Sequence, residues 1–184
     1  MAAVPPPPEL GLAAPDFSLP GIDGRTHSLA DVRGENGTVV VFICNHCPYV
    51  KAITGRLVAA AEALKPKGVT LVAINSNDAA TYPEDSFEAM KPFAEKSGFT
   101  FPYLYDETQQ VARAYDAVCT PDFFGYDKDL RLVYRGRLDE GRKDPPPAGA
   151  RPELVEAMSY VAETGKVPAD QIPSMGCSIK WKMD

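Results

Sequence analysis

A buried strand that runs directly into a helix is the feature that most constrains the fold of this chain. Residues 38–44 are a continuous run of mainly β-branched and aromatic side chains, which is typical of a strand buried on both faces in a parallel sheet. Residues 48–64 then carry apolar side chains at helical spacing, and Pro66 and Gly68 end that pattern. The chain is therefore predicted to have an α/β fold.

The other segments extend this unit into a mixed sheet. A second buried strand is predicted over residues 69–75. The remaining predicted elements are a β-hairpin of residues 16–19 and 25–29, a helix ending at Gly98 that is kinked or divided by Pro92, a strand over 101–105, a helix over 108–115, antiparallel strands over 123–126 and 130–134, and a helix over 152–164. This order predicts a mixed central sheet flanked by helices, with an N-terminal β-hairpin extension.

Length and charge narrow the class of protein further. A chain of 184 residues suits one domain over residues 1–184, with an extended Pro-rich N-terminus (1–12) and a C-terminal tail (165–184). The net charge of -6 and the lack of a basic stripe argue against nucleic acid or anionic membrane as partners. We find no apolar run near the ~20 residues of a membrane span and no secretory signal. We therefore expect a soluble cytoplasmic protein.

Four cysteines in a reducing compartment are expected to be free thiols, redox thiols or metal ligands. Pro48 is favoured at the first position of a helix, which makes Cys47 the N-cap residue. A thiol there faces free backbone N–H groups and the positive end of the helix dipole, and both favour the thiolate. Cys47 is therefore the candidate nucleophile, and the alternative is an inert packing thiol.

Cys44 and His46 lie beside this candidate. Cys44 ends the strand, outside the helix, and is either a resolving thiol or a buried strand-end thiol. His46 either lowers the thiol pKa or donates a proton, or it is a solvent-facing turn residue. Zinc is a third option for Cys44, His46 and Cys47. Three ligands packed into four residues rarely reach one tetrahedral ion, so we expect no metal.

The segment VCTPDFFGYD suggests a proline that packs against the helix beginning at Pro48. A cis Thr120–Pro121 bond is plausible because the cis form costs only about 0.5–1 kcal/mol before proline, and the alternative is a trans proline that starts an edge strand. Cys119 precedes this pair and is expected to approach Cys47.

The C-terminal segment SMGCSIKWK contains the fourth cysteine, Cys177. A mobile cysteine there could resolve an oxidised Cys47 by forming a disulfide. The alternative, which we favour slightly, is a tail strand anchored by Ile179 and Trp181 in which Cys177 is merely buried.

Taken together, these segments resemble the thioredoxin-like superfamily, and within it the peroxiredoxin-like branch related to alkyl hydroperoxide reductase and thiol-specific antioxidant. The segments that carry the resemblance cover most of the chain: APDFSLPGIDGRTHSL, VVVFICNHCPYV, TPDFFGYD, LVYRGRLD and GCSIKWK. The resemblance implies a thioredoxin fold, with Cys47 in the place of the attacking cysteine and Pro121 in that of the cis-proline. The resemblance implies thiol redox chemistry. Val50 stands where peroxiredoxins have their peroxidatic cysteine and thioredoxins their second cysteine, so the resemblance does not decide between peroxide reduction and disulfide exchange.

Two functions follow as hypotheses. The first is a thiol-dependent oxidoreductase, of antioxidant or thiol-disulfide exchange type, in which Cys47 attacks a small peroxide or a disulfide. A second thiol (Cys44, Cys119 or Cys177) or an external reductant such as a thioredoxin or glutathione then resolves the oxidised Cys47. No cofactor is expected. The residues expected to position the substrate are His46, Pro48, Thr120 and Pro121. The second hypothesis is a non-catalytic thioredoxin-fold module that binds or senses a partner, a ligand or a metal.

Overall fold

The structure is a computed structural model, and it describes residues 1–183 of the chain. The strands are β1 (Ala2–Ala3), β2 (Ser18–Pro20), β3 (Thr26–Ser28), β4 (Gly37–Phe42), β5 (Val69–Asn75), β6 (Tyr103–Tyr105), β7 (Cys119–Thr120), β8 (Asp122–Asp127), β9 (Leu132–Tyr134) and β10 (Gly176–Ser178). The α-helices are α1 (Leu29–Val32), α2 (Pro48–Lys51), α3 (Thr54–Leu64), α4 (Phe87–Ser97), α5 (Gln110–Ala114) and α6 (Glu153–Thr164).

Five strands form the central sheet in the order β6-β5-β4-β8-β9. β4 is parallel to β5 and β5 to β6, whereas β8 is antiparallel to both β4 and β9. The predicted mixed sheet is confirmed, and β4 lies at its centre because β5 and β8 pair with its two edges. The chain that leaves the carboxyl end of β4 enters α2 within six residues.

Alternating side chains of β4 enter two separate cores. Val39 and Val41 face the core that α2, α3, α4 and α6 cover, and Val40 and Phe42 face the core closed by the β2–β3 hairpin, α1 and α5. Burial on both faces accounts for the unbroken apolar run from which this strand was predicted.

The helix predicted over residues 48–64 is interrupted, so the prediction of one continuous helix is wrong. Ala52 and Ile53 separate α2 from α3, and the N–H of Ile53 donates to the carbonyl of Val50 at 3.0 Å. That hydrogen bond spans three residues rather than four and tightens the turn. Ile53, Thr54 and Gly55 are all weaker helix formers than alanine, which is consistent with a break at this point.

The other predicted elements are present with shifted ends. The hairpin is formed by β2 and β3, but the short helix α1 that follows it was not predicted. Ser28 and Asp31 form a capping box at the start of α1, and this spacing is a helix signal in the sequence. α4 continues through Pro92 to Gly98, which ends it with φ 73°.

A second sheet brings the two ends of the chain together. Its three strands lie in the order β1-β10-β7, and both neighbours of β10 run antiparallel to it. The predicted tail strand is confirmed, because Ile179 is buried and Trp181 is partly buried against the same core. Over residues 1–183, the structure contains no helix long and apolar enough to cross a membrane.

Candidate active site

The four cysteines are free thiols, and three of them meet where α2 begins. Cys47 is the N-cap residue of α2 with Pro48 directly after it, as the proline argument predicts. Its side chain makes no capping hydrogen bond to the helix backbone. The thiol is also 0% exposed, so its chemistry depends on the groups packed around it.

Cys177 is the nearest of these groups, although it lies 130 residues away in the chain. The Sγ atoms of Cys47 and Cys177 are 2.7 Å apart. Cys177 lies in β10 and is partly exposed, unlike Cys47. The predicted tail strand is therefore present, but Cys177 is not merely buried in it. Its sulfur is in direct contact with the sulfur of Cys47.

Hydrogen bonds between thiols separate the pKa values of these cysteines. A hydrogen bond from Cys44 lowers the pKa of Cys47 most, a second from Cys177 adds to it, and together they overcome burial and bring that pKa to about 4. The same hydrogen bond with Cys47, together with burial, raises the pKa of Cys44. Burial, followed by the hydrogen bond to Cys47, raises the pKa of Cys177 to about 11. These shifts favour the thiolate on Cys47 and the protonated form on its two neighbours.

Thr120 contacts all three of these residues. Its carbonyl oxygen lies 3.4 Å from the Sγ of Cys47 and accepts from that thiol when it is protonated, and its hydroxyl lies 3.5 Å from the Sγ of Cys44. Its backbone pairs with Cys177 across β7 and β10. The following Thr120–Pro121 bond is cis. Thr120 is therefore positioned by the sheet to hold the three thiols together.

Cys119 does not join this group through a hydrogen bond. Its thiol is buried in β7 and donates to the carbonyl of Pro121 at 3.4 Å. Burial, with a contribution from Asp122, raises the pKa of the Cys119 thiol. The predicted approach of Cys119 to Cys47 therefore does not bring their two thiols into a hydrogen bond.

His46 is anchored by the buried carboxylate of Asp85, a residue that the sequence does not single out. Its Nδ1 lies 2.5 Å from Oδ2 of Asp85, and its ring stacks on Tyr82 with the two planes 3° apart. The imidazole is partly exposed, while Asp85 is 0% exposed. Contacts with Asp85 and Tyr82 therefore fix the His46 side chain, so it is not a free, solvent-facing turn residue. It is also not among the leading causes of the low pKa of Cys47.

Asp85 also fixes the backbone of the turn between β4 and α2, at Asn45 and His46. Its Oδ1 accepts the N–H groups of Asn45 at 2.7 Å and His46 at 3.2 Å, and its Oδ2 accepts from Asn77 Nδ2 at 2.9 Å. These bonds account for a carboxylate buried without a cationic Lys or Arg partner. The signal of this network in the sequence is the polar run Asn75 to Asp78 at the carboxyl end of a buried strand.

The same polar cluster holds the tail that carries Cys177. Asn77 Oδ1 accepts from the backbone N–H of Lys180 at 3.0 Å, and the backbone N–H of Asp78 donates to the Lys180 carbonyl at 2.8 Å. Arg113 lies over the ring of Trp181, 4.4 Å from its centroid. Hydrogen bonds therefore link the tail, through Asn77 and Asp85, to the turn that carries Cys44 and Cys47.

A ligand set for a metal ion is only partly assembled. Atoms of Cys44, His46 and Asp85 lie within 4.8 Å of one another. However, His46 Nδ1 and Asp85 Oδ2 are 2.5 Å apart, which is too close for both to surround an ion with metal–ligand distances of about 2.0–2.2 Å. Hydrogen bonds explain this cluster without an ion.

Comparison with known proteins identifies the family. The model of the AhpC/TSA family matches residues 10–135, which include Cys44, Cys47 and Pro121. The chain belongs to the AhpC/TSA family. Among relatives of this AhpC/TSA chain, the thiol-disulfide oxidoreductase ResA of Geobacillus kaustophilus is 32% identical over 138 residues, covering 70% of this chain and 71% of ResA. The peroxiredoxin Bcp of Escherichia coli is 32% identical over 137 residues, which cover 70% of this chain and 78% of Bcp.

Among solved structures, the similarity extends over the whole of this chain. An uncharacterized conserved protein from Geobacillus kaustophilus is 51% identical, with a TM-score of 0.93 and coverage of 100% of this chain and 98% of that one. Peroxidoxin BcpB of Mycobacterium tuberculosis shares the fold, with a TM-score of 0.63 at 18% identity. The matched region covers 84% of this chain and 96% of BcpB. The predicted thioredoxin-like fold and peroxiredoxin-like family are confirmed, and the relatives support thiol-dependent redox function.

Proposed function

We propose that this protein is a thiol-dependent oxidoreductase in which Cys47 is the nucleophile and Cys177 is the resolving thiol. Among the groups at the site, Cys47 has the lowered pKa, and a thiolate is the reactive form of cysteine. The single observation that carries the proposal is the 2.7 Å separation of the Cys47 and Cys177 sulfurs. This short distance supports Cys177 as the thiol that attacks an oxidised Cys47.

A small peroxide is the oxidising substrate that the geometry favours. Cys47 is 0% exposed and its sulfur is in contact with that of Cys177 in β10, so a small peroxide can approach it more readily than a folded protein that presents a disulfide. The similarity to the peroxiredoxin Bcp supports this choice, and the similarity to ResA keeps disulfide exchange as the competing activity.

The proposed reaction has two steps. The Cys47 thiolate attacks one peroxide oxygen, the O–O bond breaks, and the other oxygen takes a proton and leaves as water or an alcohol. The Cys177 thiol then attacks the sulfur of the Cys47 sulfenic acid, the S–O bond breaks, and the hydroxide leaves as water with the thiol proton. The two cysteines lose two electrons and form a disulfide, and the peroxide gains them.

The surrounding residues have positioning roles in this proposal. Thr120 and Pro121 hold the thiols against β7, and His46 and Asp85 fix the turn before α2. Cys44 stays protonated and stabilises the Cys47 thiolate rather than resolving it. An external thiol such as a thioredoxin or glutathione, in the cytoplasm, would reduce the disulfide and complete the cycle.

The test is to add one equivalent of hydrogen peroxide to fully reduced protein and to map disulfides by peptide mass spectrometry. We expect a Cys47–Cys177 disulfide and loss of peroxide consumption in Cys47→Ser. Cys177→Ser should instead accumulate the Cys47 sulfenic acid, which a dimedone probe traps. Cys119→Ser is the matched control, since that thiol donates to the carbonyl of Pro121 and not to either partner, and it should behave like the unmodified protein. Disulfide exchange with oxidised glutathione and no reaction with peroxide would favour the ResA-like activity instead.

A further inference from the structure

A cavity of about 470 Å³ lies on the face of the central sheet that α5 covers, opposite the core that contains Cys44 and Cys47. Binding sites for small molecules commonly have volumes of about 300–1,000 Å³. The lining residues come from the N-terminal segment, α5 with the turn after it, β8, β9 and the C-terminal tail. Cys44, Cys47 and Cys177 are not among them, so this cavity is separate from the thiol site.

Hydrogen bonds fix the N-terminal wall of the cavity along the edge of β9. The N–H of Gly11 donates to the carbonyl of Leu132 at 2.8 Å, and the N–H of Leu132 donates to the carbonyl of Leu12 at 2.8 Å. The hydroxyl of Tyr115 donates to the carbonyl of Pro15 at 2.7 Å. The sheet and α5 therefore hold this wall in place.

The hydroxyl of Tyr126 has no hydrogen-bond partner among the residues that the structure describes. Tyr126 is 3% exposed and lines the cavity from β8. The hydroxyls of the other strongly buried tyrosines, Tyr103, Tyr115 and Tyr134, each donate to a protein oxygen. Over residues 1–183, every fully buried side-chain nitrogen or oxygen has a partner. The Tyr126 oxygen is therefore not fully buried, and it is reached from the cavity.

Arg135 contributes a second donor to the same cavity. Its side chain is 7% exposed and forms an ion pair with the buried Asp122, through Nε at 3.3 Å and Nη2 at 3.0 Å. Nη2 also donates to the Asp116 carbonyl at 2.9 Å, and the guanidinium lies over the ring of Phe124, 4.5 Å from its centroid. Nη1 bonds to none of the described residues, so by the same argument it is reached from the cavity.

These two groups favour a ligand that accepts hydrogen bonds. A guanidinium only donates. Burial raises the pKa of the Tyr126 hydroxyl, so this hydroxyl is protonated at neutral pH and can donate as well. A carboxylate accepts from both groups, and its hydrogen bond to a guanidinium is of the strong, charge-assisted kind. Arg113 adds a positive charge beside Trp181, and both residues line the cavity.

The rest of the lining suits an apolar or aromatic body. Leu12, Phe124 and Trp181 contribute apolar surface from three separate segments. Two carboxylates, those of Glu9 and Asp116, also line the cavity. Both residues are exposed, so water and salt screen their charges more than those of a buried group. The buried donors therefore determine which ligand is preferred.

We propose that this cavity binds a small carboxylate with an apolar or aromatic body. The carboxylate accepts from Tyr126 and Arg135, and the body packs against Phe124 and Trp181. This binding site does not depend on the proposed redox function, because none of the three thiols of that site lines the cavity.

The experiment uses the fluorescence of Trp181, the only tryptophan of the chain. Fully reduced protein is titrated with phenylbutyrate and, in parallel, with phenylbutanol, which has the same body and no charge. Both titrations are repeated with Tyr126→Phe, which removes only the hydroxyl. The matched control is Tyr160→Phe, since Tyr160 is 42% exposed and lies outside this cavity. Urea unfolding of each variant measures its stability.

We expect phenylbutyrate to change the fluorescence of Trp181 saturably, and phenylbutanol to bind about tenfold more weakly because it lacks a charged acceptor. Tyr126→Phe should weaken the binding of phenylbutyrate about threefold to tenfold, as the loss of one hydrogen bond predicts. Tyr160→Phe should leave it unchanged. Neither variant should lose stability, because the Tyr126 hydroxyl has no partner among the described residues.

Three binding results would overturn this inference: no saturable change with phenylbutyrate, equal affinity for phenylbutyrate and phenylbutanol, or equal affinity of Tyr126→Phe and the unmodified protein for phenylbutyrate. A marked loss of stability in Tyr126→Phe would also overturn it, since the hydroxyl would then have a partner within the protein.

Discussion

Gly176 lies so close to Thr120 that a Cβ atom added to this glycine would stand 2.0 Å from the Thr120 carbonyl oxygen. No side chain fits at that distance, and the neighbouring atom belongs to the backbone and cannot turn aside. Glycine here allows β10 to approach β7. That approach places Cys177, the next residue, against Cys47.

Gly176→Ala is predicted to separate the two thiols. The added methyl group must push β10 away from Thr120, and overpacking of this kind typically costs about 1–3 kcal/mol. We expect a lower free energy of unfolding in urea and slower formation of the Cys47–Cys177 disulfide after peroxide. The matched control is Gly55→Ala, because Gly55 lies in α3 with nothing within 4 Å of the added atom. That change should stabilise the protein by about 0.5–1 kcal/mol. Equal rates of disulfide formation in both variants would show that the contact is unimportant.

Asp85→Asn is predicted to loosen the turn before α2. Asp85 accepts four hydrogen bonds, from the backbone of Asn45 and from His46 and Asn77. An amide has one accepting oxygen, so at least one buried donor loses its partner, at a cost of about 1–3 kcal/mol. Urea unfolding should show this loss, and disulfide formation should slow because Asn77 also holds the tail at Lys180.

The control for Asp85 is its neighbour Glu84, whose side chain is exposed. Glu84→Gln removes the same charge from an adjacent position without removing a buried acceptor. It should leave both the free energy of unfolding and the rate of disulfide formation unchanged. A comparable effect in the two variants would show that charge, and not the hydrogen bonds of Asp85, is responsible.

Cys44→Ala is predicted to raise the pKa of Cys47, because the hydrogen bond from Cys44 is the largest cause of its depression. Each pKa unit corresponds to about 1.36 kcal/mol of lost preference for the thiolate. Cys44→Ser retains a donor at the same place and should restore part of the depression. The ultraviolet absorbance of the thiolate, followed against pH, reports the pKa in each variant. An unchanged pKa in Cys44→Ala would rule out this donor.

The stability of the reduced protein is predicted to depend on pH through Cys47. Its pKa is lowered to about 4 in the folded chain from an ordinary value of 9.0. The folded state therefore releases this proton at lower pH than the unfolded state, and the resulting stabilisation is complete above pH 9 and lost as the pH falls towards 4. The difference in free energy of unfolding between the unmodified protein and Cys47→Ser should grow from pH 5 to pH 8. A constant difference would contradict the lowered pKa.

Local signals in the sequence were sufficient for most of the fold. β5 begins and ends where predicted, at Val69–Asn75, because a buried strand needs an unbroken apolar run and Gly68 marks its start. Pro48 likewise placed Cys47 at the start of α2. Each of these features depends on a few neighbouring residues, so it can be read without knowing the rest of the structure.

The contacts that complete the site depend on distant parts of the chain. Asp85 lies 39 residues from His46, and Cys177 lies 130 residues from Cys47. No local pattern specifies such pairs, so the sequence does not reveal the buried role of Asp85, and it allows two roles for Cys177. The low pKa of Cys47 was expected from the helix, whereas the neighbouring thiols are its leading cause.

The central claim is that Cys47 is a thiolate at neutral pH, and a pH titration of the fully reduced protein tests it most directly. Thiolate absorbance does not require a reagent to reach the buried sulfur. The account predicts a thiolate that appears with a pKa of about 4 and is absent from Cys47→Ser but retained in Cys119→Ser. A first thiolate that appears only near the ~8.5 of a free cysteine would contradict the account.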